Sequence, residues 1–143
     1  MKPIATALII GLGLGTVALA HEGVKDPIVA ARMDAMSATG QASKVLGDMA
    51  RGRADFDATA AAAAKESLIA IAADLPALFE ANATDPKSKA KPEIWENFDD
   101  FTDKAAAMQA AAEALDVSSQ ESVAAGMRAV GGSCGGCHKA YRL

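Results

Sequence analysis

Cys134, Cys137 and His138 stand at positions i, i+3 and i+4 close to the end of the chain, with Gly135 and Gly136 between the thiols. On a helix all three side chains project from one side, so whatever they hold lies against one face of a C-terminal helix. A disulfide between them would close a very small loop and stabilise little. A thioredoxin-like thiol pair belongs in a βαβ setting, and no such alternation is visible. A zinc site would need a fourth ligand; His21 is the only other histidine, and there is no second cysteine pair. Cys-x-x-Cys-His is the attachment signature of haem c. Two thiols at this spacing form thioethers to the two vinyl groups of one haem, and the adjacent histidine coordinates iron from the same face.

The other end of the chain reads as an export signal. Met1-Lys2 is a short positive start, Ile4 to Leu14 an apolar run, and Ala18-Leu19-Ala20 a small-x-small cleavage site. The run is barely long enough to span a bilayer, and Gly11, Gly13 and Gly15 weaken it as a helix. Residues 1–20 are therefore expected to be a cleaved signal peptide, which implies a periplasmic protein with no stable membrane insertion afterwards. Removal of Lys2 takes the net charge from −4 to −5. That acidic balance argues against nucleic acid, which calls for a basic face.

Residues 21–143 are one domain's worth of chain, small enough that a cofactor would help stabilise it. Alanine abounds, β-branched runs are scarce, and alanine is the best helix former, so the expected fold class is all-α. Punctuation divides the domain into four helical segments. The first runs from about Pro27, with Asp26 able to cap it, to Arg51 before Gly52. Its small and apolar positions, Val29, Met33, Met36, Gly40, Ser43 and Leu46, recur at steps of three and four. The second runs from about Asp57 to Leu75, with Pro76 near its end. A polar stretch from Glu80 to Lys91 reads as a solvated loop. The third extends from Pro92 to about Leu115, and the fourth from near Ser119 to about Tyr141. This order predicts an antiparallel four-helix bundle, a fold that builds cofactor sites between facing helices. Gly131-Gly132 is the weak point, at about 1 kcal/mol of helix propensity per glycine. Glycine there would also let something bulky approach the backbone.

Several runs, in order along the chain, resemble the class II cytochromes c. They are Arg32 with Met36, Leu46-Gly47 followed by Gly52, Phe56-Asp57, Leu75-Pro76-Ala77-Leu78-Phe79, Lys91-Pro92-Glu93-Ile94-Trp95, and Cys134 to Arg142. That family includes cytochrome c prime and the low-spin cytochrome c-556 type. The resemblance covers essentially the whole chain beyond the leader. It implies one covalent haem c near one end of the bundle, and often a homodimer.

The iron's second axial position decides function. A methionine there raises the potential and suits electron transfer; a vacant position admits a gas. Met33, Met36, Met49, Met108 and Met127 are the upstream candidates, although methionine on an amphipathic face is usually core filling. The resemblance singles out Met36, which matches the ligand of the low-spin branch and the usually apolar distal residue of cytochrome c prime. Gly40, one turn on, has no side chain to hold a haem away. Arg32, one turn before Met36, is placed to reach a haem propionate. Arg142 shares the face of His138 and matches an arginine beside the proximal face in cytochrome c prime. The expected function is thus a non-enzymatic one-electron carrier with His138/Met36 ligation, serving redox partner proteins. The alternative is a five-coordinate cytochrome c prime binding nitric oxide or carbon monoxide; a third reading is a helical thiol-disulfide protein without haem.

Overall fold

The computed structural model describes residues 23–143, so the expected signal peptide lies outside the described residues. Five helices follow one another: α1 (Pro27–Ala50), α2 (Ala58–Phe79), α3 (Glu93–Glu96), α4 (Phe98–Glu113) and α5 (Gln120–Tyr141). Four of them, α1, α2, α4 and α5, form the antiparallel bundle. Each packs on two neighbours in the ring α1–α2–α4–α5, leaving α1 opposite α4 and α2 opposite α5.

Local chemistry sets the helix starts. The Asp26 carboxylate accepts from the backbone N–H groups of Ile28 and Val29, with Pro27 at the first helical position. Asp57 does the same for Thr59 and Ala60. Ser119 and Ser122 form a reciprocal capping box at the start of α5. Gly52 turns the chain out of α1 with φ +65°.

Three expectations change in detail. Helix α2 runs through Pro76 to Phe79 rather than ending at Leu75. Proline forfeits one intrahelical bond, but Leu68, Ala72, Leu75 and Phe79 all face the core at helical spacing, and that burial outweighs the loss. The third segment is broken at Asn97 (φ −131°, ψ 50°), separating the single turn α3 from α4. The freed Asn97 carbonyl accepts from the Phe101 N–H and, at 3.4 Å, from the Tyr141 hydroxyl. Gly131 and Gly132 lie within an unbroken α5, exposed, with open space where a Cβ would stand.

The stretch from Glu80 to Lys91 is tied down rather than simply solvated. Asp85 accepts from the backbone N–H groups of Lys25, Asp26 and Lys87. Lys91 N–H donates to the Tyr141 carbonyl (3.0 Å) and Leu143 N–H to the Lys89 carbonyl (2.9 Å), forming an isolated antiparallel bridge between Ala90 and Arg142. This clasp holds the loop across the end of α5. No helix among the described residues is long and apolar enough to cross a membrane.

Candidate functional site

At the end of the bundle where α5 finishes, a cavity of about 550 Å³ opens between α1, α4, α5 and the loop ahead of α3. Its walls are mainly apolar: Val29 and Met36 from α1, Leu75 and Phe79 from α2, Ile94 from α3, Phe101 and Met108 from α4. Cys134, Cys137 and His138 line it from α5, which the i, i+3, i+4 spacing places on one face. The two sulfurs are free and half-buried. Burial pushes both thiols above the ordinary cysteine range. Thiol-disulfide catalysts depend on the opposite shift.

His138 is largely exposed, yet loss of solvation on its cavity side, reinforced by the charge of Arg142, holds its imidazolium below the usual range. The neutral ring is the form that binds a metal. Arg142 lines the cavity one turn on; its backbone N–H closes α5 on the His138 carbonyl at 3.0 Å. Of the five methionines considered as partners for the iron, Met33, Met36 and Met108 line the cavity. Met49 and Met127 do not. Gly40 also lines it, with nothing within 4 Å of a Cβ built there.

Arg32 occupies the cavity wall but is only 3% exposed. Its Nε donates to the Leu78 carbonyl (2.8 Å), one terminal nitrogen to Ala83 (2.9 Å) and the other to Ala81. The guanidinium carbon also sits 4.7 Å from the Phe79 ring centre and 5.2 Å from that of Trp95, a cation–π contact with each. The side chain thus binds carbonyls of the turn where α2 ends, a task that no spacing in the sequence announces. Burial is the main reason its pKa falls below the usual arginine value.

Two further features escape a linear reading. Lys87, Ser88 and Lys89 of the clasped loop line the cavity mouth, together with Lys104 of α4. Tyr141, buried one turn past His138, donates a 2.5 Å hydrogen bond to the Asp100 carboxylate and meets Phe101 edge-on at 5.6 Å. That bond pushes the tyrosine up to about 12 and holds Asp100 below the usual carboxylate range.

The cavity suits haem c on three counts. Its volume falls within the range of about 300–1,000 Å³ typical of ligand sites. Its walls are apolar, and it presents both thiols and an imidazole from one helix face. A helical bundle with this site is a c-type cytochrome of the bundle class.

Comparisons with known proteins narrow the class. Residues 27–142 match the family model described as Cytochrome C'. The chain is 35% identical over 147 residues to cytochrome c-556 of Agrobacterium fabrum, covering 100% of this chain and 96% of that protein. It is 37% identical over 122 residues to cytochrome c' of Rhodopseudomonas palustris, covering 80% and 81% of the two chains. The solved structure of cytochrome c' from Rhodopseudomonas palustris superposes with a TM-score of 0.77 at 30% identity, over 83% of this chain and 98% of that one. The chain belongs to the cytochrome c' family, whose members are electron-carrying cytochromes with covalent haem c, and Cys134 and Cys137 are its attachment thiols.

Proposed function

We propose that this protein is a periplasmic one-electron carrier whose single haem is ligated by His138 and Met36. The observation that carries the reading is that Met36 on α1 and His138 on α5 line one cavity from two different helices of the bundle. The bound iron supplies a one-electron couple between its ferric and ferrous states. The chain's own part is to orient and to tune. His138 presents a neutral imidazole beside the attachment thiols. Met36 offers a soft thioether suited to haem iron, and the apolar walls exclude water, favouring the less charged ferrous state. Gly40 keeps the space beside Met36 open.

Residues 1–20 act in this reading as a removable export signal. The acidic net charge of the remainder steers the protein towards partners with a basic docking patch. A homodimer belongs to the same proposal; Ile28 on α1, 40% exposed, leaves apolar surface for it. Sedimentation of the purified protein checks that point.

A second reading has support of its own. Cytochrome c' of Alcaligenes xylosoxidans, solved as the nitric oxide complex of a point mutant, superposes with a TM-score of 0.70 at 29% identity, over 80% of this chain and 93% of that one. Under it Met36 packs over the iron without bonding. Replacement separates the two. Met36→Ala turns a low-spin haem high-spin and open to carbon monoxide if Met36 is the ligand, while Met33→Ala leaves the spectrum as it was. An unchanged spectrum for Met36→Ala removes that residue as ligand.

A further inference from the structure

The charged side chains lining the cavity are all cationic or can become so: Arg32, Lys87, Lys89, Lys104, His138 and Arg142. No carboxylate among the described residues lines it, in a chain whose net charge is −4. Walls this apolar with a cationic mouth fit an occupant that is apolar over most of its area and carries anionic groups at an edge. Haem is such a molecule, its two propionates being its anionic edge.

The cations differ in how free they are to meet those carboxylates. Arg32 commits one hydrogen bond from each of its three nitrogens to the carbonyls of Leu78, Ala81 and Ala83, and its guanidinium carbon lies near the Phe79 and Trp95 rings. Lys104 pairs with Asp100 at 3.4 Å. Arg142 stands one turn from His138, with its backbone N–H on the His138 carbonyl at 3.0 Å. Lys87 and Lys89 have no carboxylate partner among the ion pairs of the described residues. Their backbone is nonetheless fixed at the mouth. Lys87 N–H donates to Asp85 at 2.8 Å, and the Lys89 carbonyl accepts from Leu143. A fixed backbone with a flexible four-carbon stem suits capture of a carboxylate whose position is set by thioethers elsewhere.

We propose that Lys87 and Lys89, on the loop clasped to the end of α5, hold the haem propionates, while Arg32 builds the wall behind them. The assignment rests on the haem reading of Cys134, Cys137 and His138 and goes beyond it by naming the propionate partners.

The test uses holoprotein. Lys87→Gln, Lys89→Gln and the double variant are compared with Lys44→Gln, a control on α1 whose side chain is 75% exposed. Three quantities are read: covalent haem per chain by mass, the midpoint potential, and the propionate bending bands in resonance Raman spectra. Loss of a cation beside a propionate disfavours the added electron. Each cavity-mouth variant should therefore retain its haem, show a lowered potential and shift a propionate band, with the double variant lowest. Lys→Arg at either position should restore both signals, and Arg32→Lys should weaken thermal stability without moving the bands. Unchanged potential and bands in the double variant overturn the assignment, as does an equal drop in Lys44→Gln. Slower reduction by a redox partner with no change in the isolated protein also overturns it, since the lysines would then serve docking. Absence of covalent haem from the unmodified protein is a separate result, which removes the underlying reading and this assignment together.

Discussion

The two ends of the bundle are built from the same four helices and differ in what fills them. Where α1 and α4 finish, Leu46, Leu115 and Val123 are essentially inaccessible to solvent. The backbone of α5 comes so close there that a Cβ on Gly126 would stand 2.4 Å from a Leu115 methyl. At the other end the helices leave a cavity of about 550 Å³. The contrast comes from α5. Between Val130 and Tyr141 it carries no large aliphatic or aromatic residue, only glycines, Ser133, the two cysteines, His138, Lys139 and Ala140. The site is made by omission, on a stretch of helix that tolerates four glycines at about 1 kcal/mol each relative to alanine. The closed end supplies the stability that the open end gives up.

Substitutions at the two ends should therefore have different signatures. The largest effect belongs to the closed end. Leu115→Ala should lower unfolding free energy by about 2–5 kcal/mol and leave the haem spectrum unchanged, as denaturant titration followed at the Soret band would show. A spectral change would mean that the ends are not independent. Next comes Arg32→Met, which strips the Leu78 and Ala83 carbonyls of their side-chain donor, the Ala81 carbonyl keeping the Ala83 N–H, and should cost about 2–4 kcal/mol. Arg32→Lys should recover only part, because one ammonium cannot match a planar fork. Gly126→Ala overpacks the closed end against Leu115 and should cost about 1–3 kcal/mol by the same titration.

The smallest effect concerns Tyr141→Phe. The tyrosine's pKa is raised to about 12 by its bond to Asp100, so the bond's contribution is whole below the ordinary tyrosine pKa of 10.0 and fades as pH rises through about 12. Asp100 is shifted downward, so the same contribution also fades as pH falls through the carboxylate range. Melting temperatures at neutral pH should be lower for the phenylalanine variant, and the two proteins should converge towards both extremes. A constant difference across pH would show that the ring's packing matters and its hydroxyl does not.

Much of this contrast can be read along the chain. The caps at Asp26, Asp57 and Ser119 are local chemistry and stand where their residue types suggest. The attachment triad is equally local, since its face is fixed by helical spacing alone. What escapes is whatever joins distant segments. The passage of α2 through Pro76 depends on Leu75 and Phe79 finding the core. The task of Arg32 depends on carbonyls 46 to 51 residues away. The lysines of the loop reach the cavity because Lys89 and Lys91 pair with the last three residues of the chain. A polar run with a proline and an asparagine signals a turn, and nothing in it records what it will be fastened to.

The account turns on whether Met36 occupies the iron's second axial position. The most direct measurement is the absorption spectrum of the reduced, unmodified protein before and after carbon monoxide. A split, low-spin α/β pattern that carbon monoxide leaves unchanged is the predicted result. A broad high-spin spectrum that shifts when the gas is added would contradict it and place the open end of the bundle among gas-binding sites.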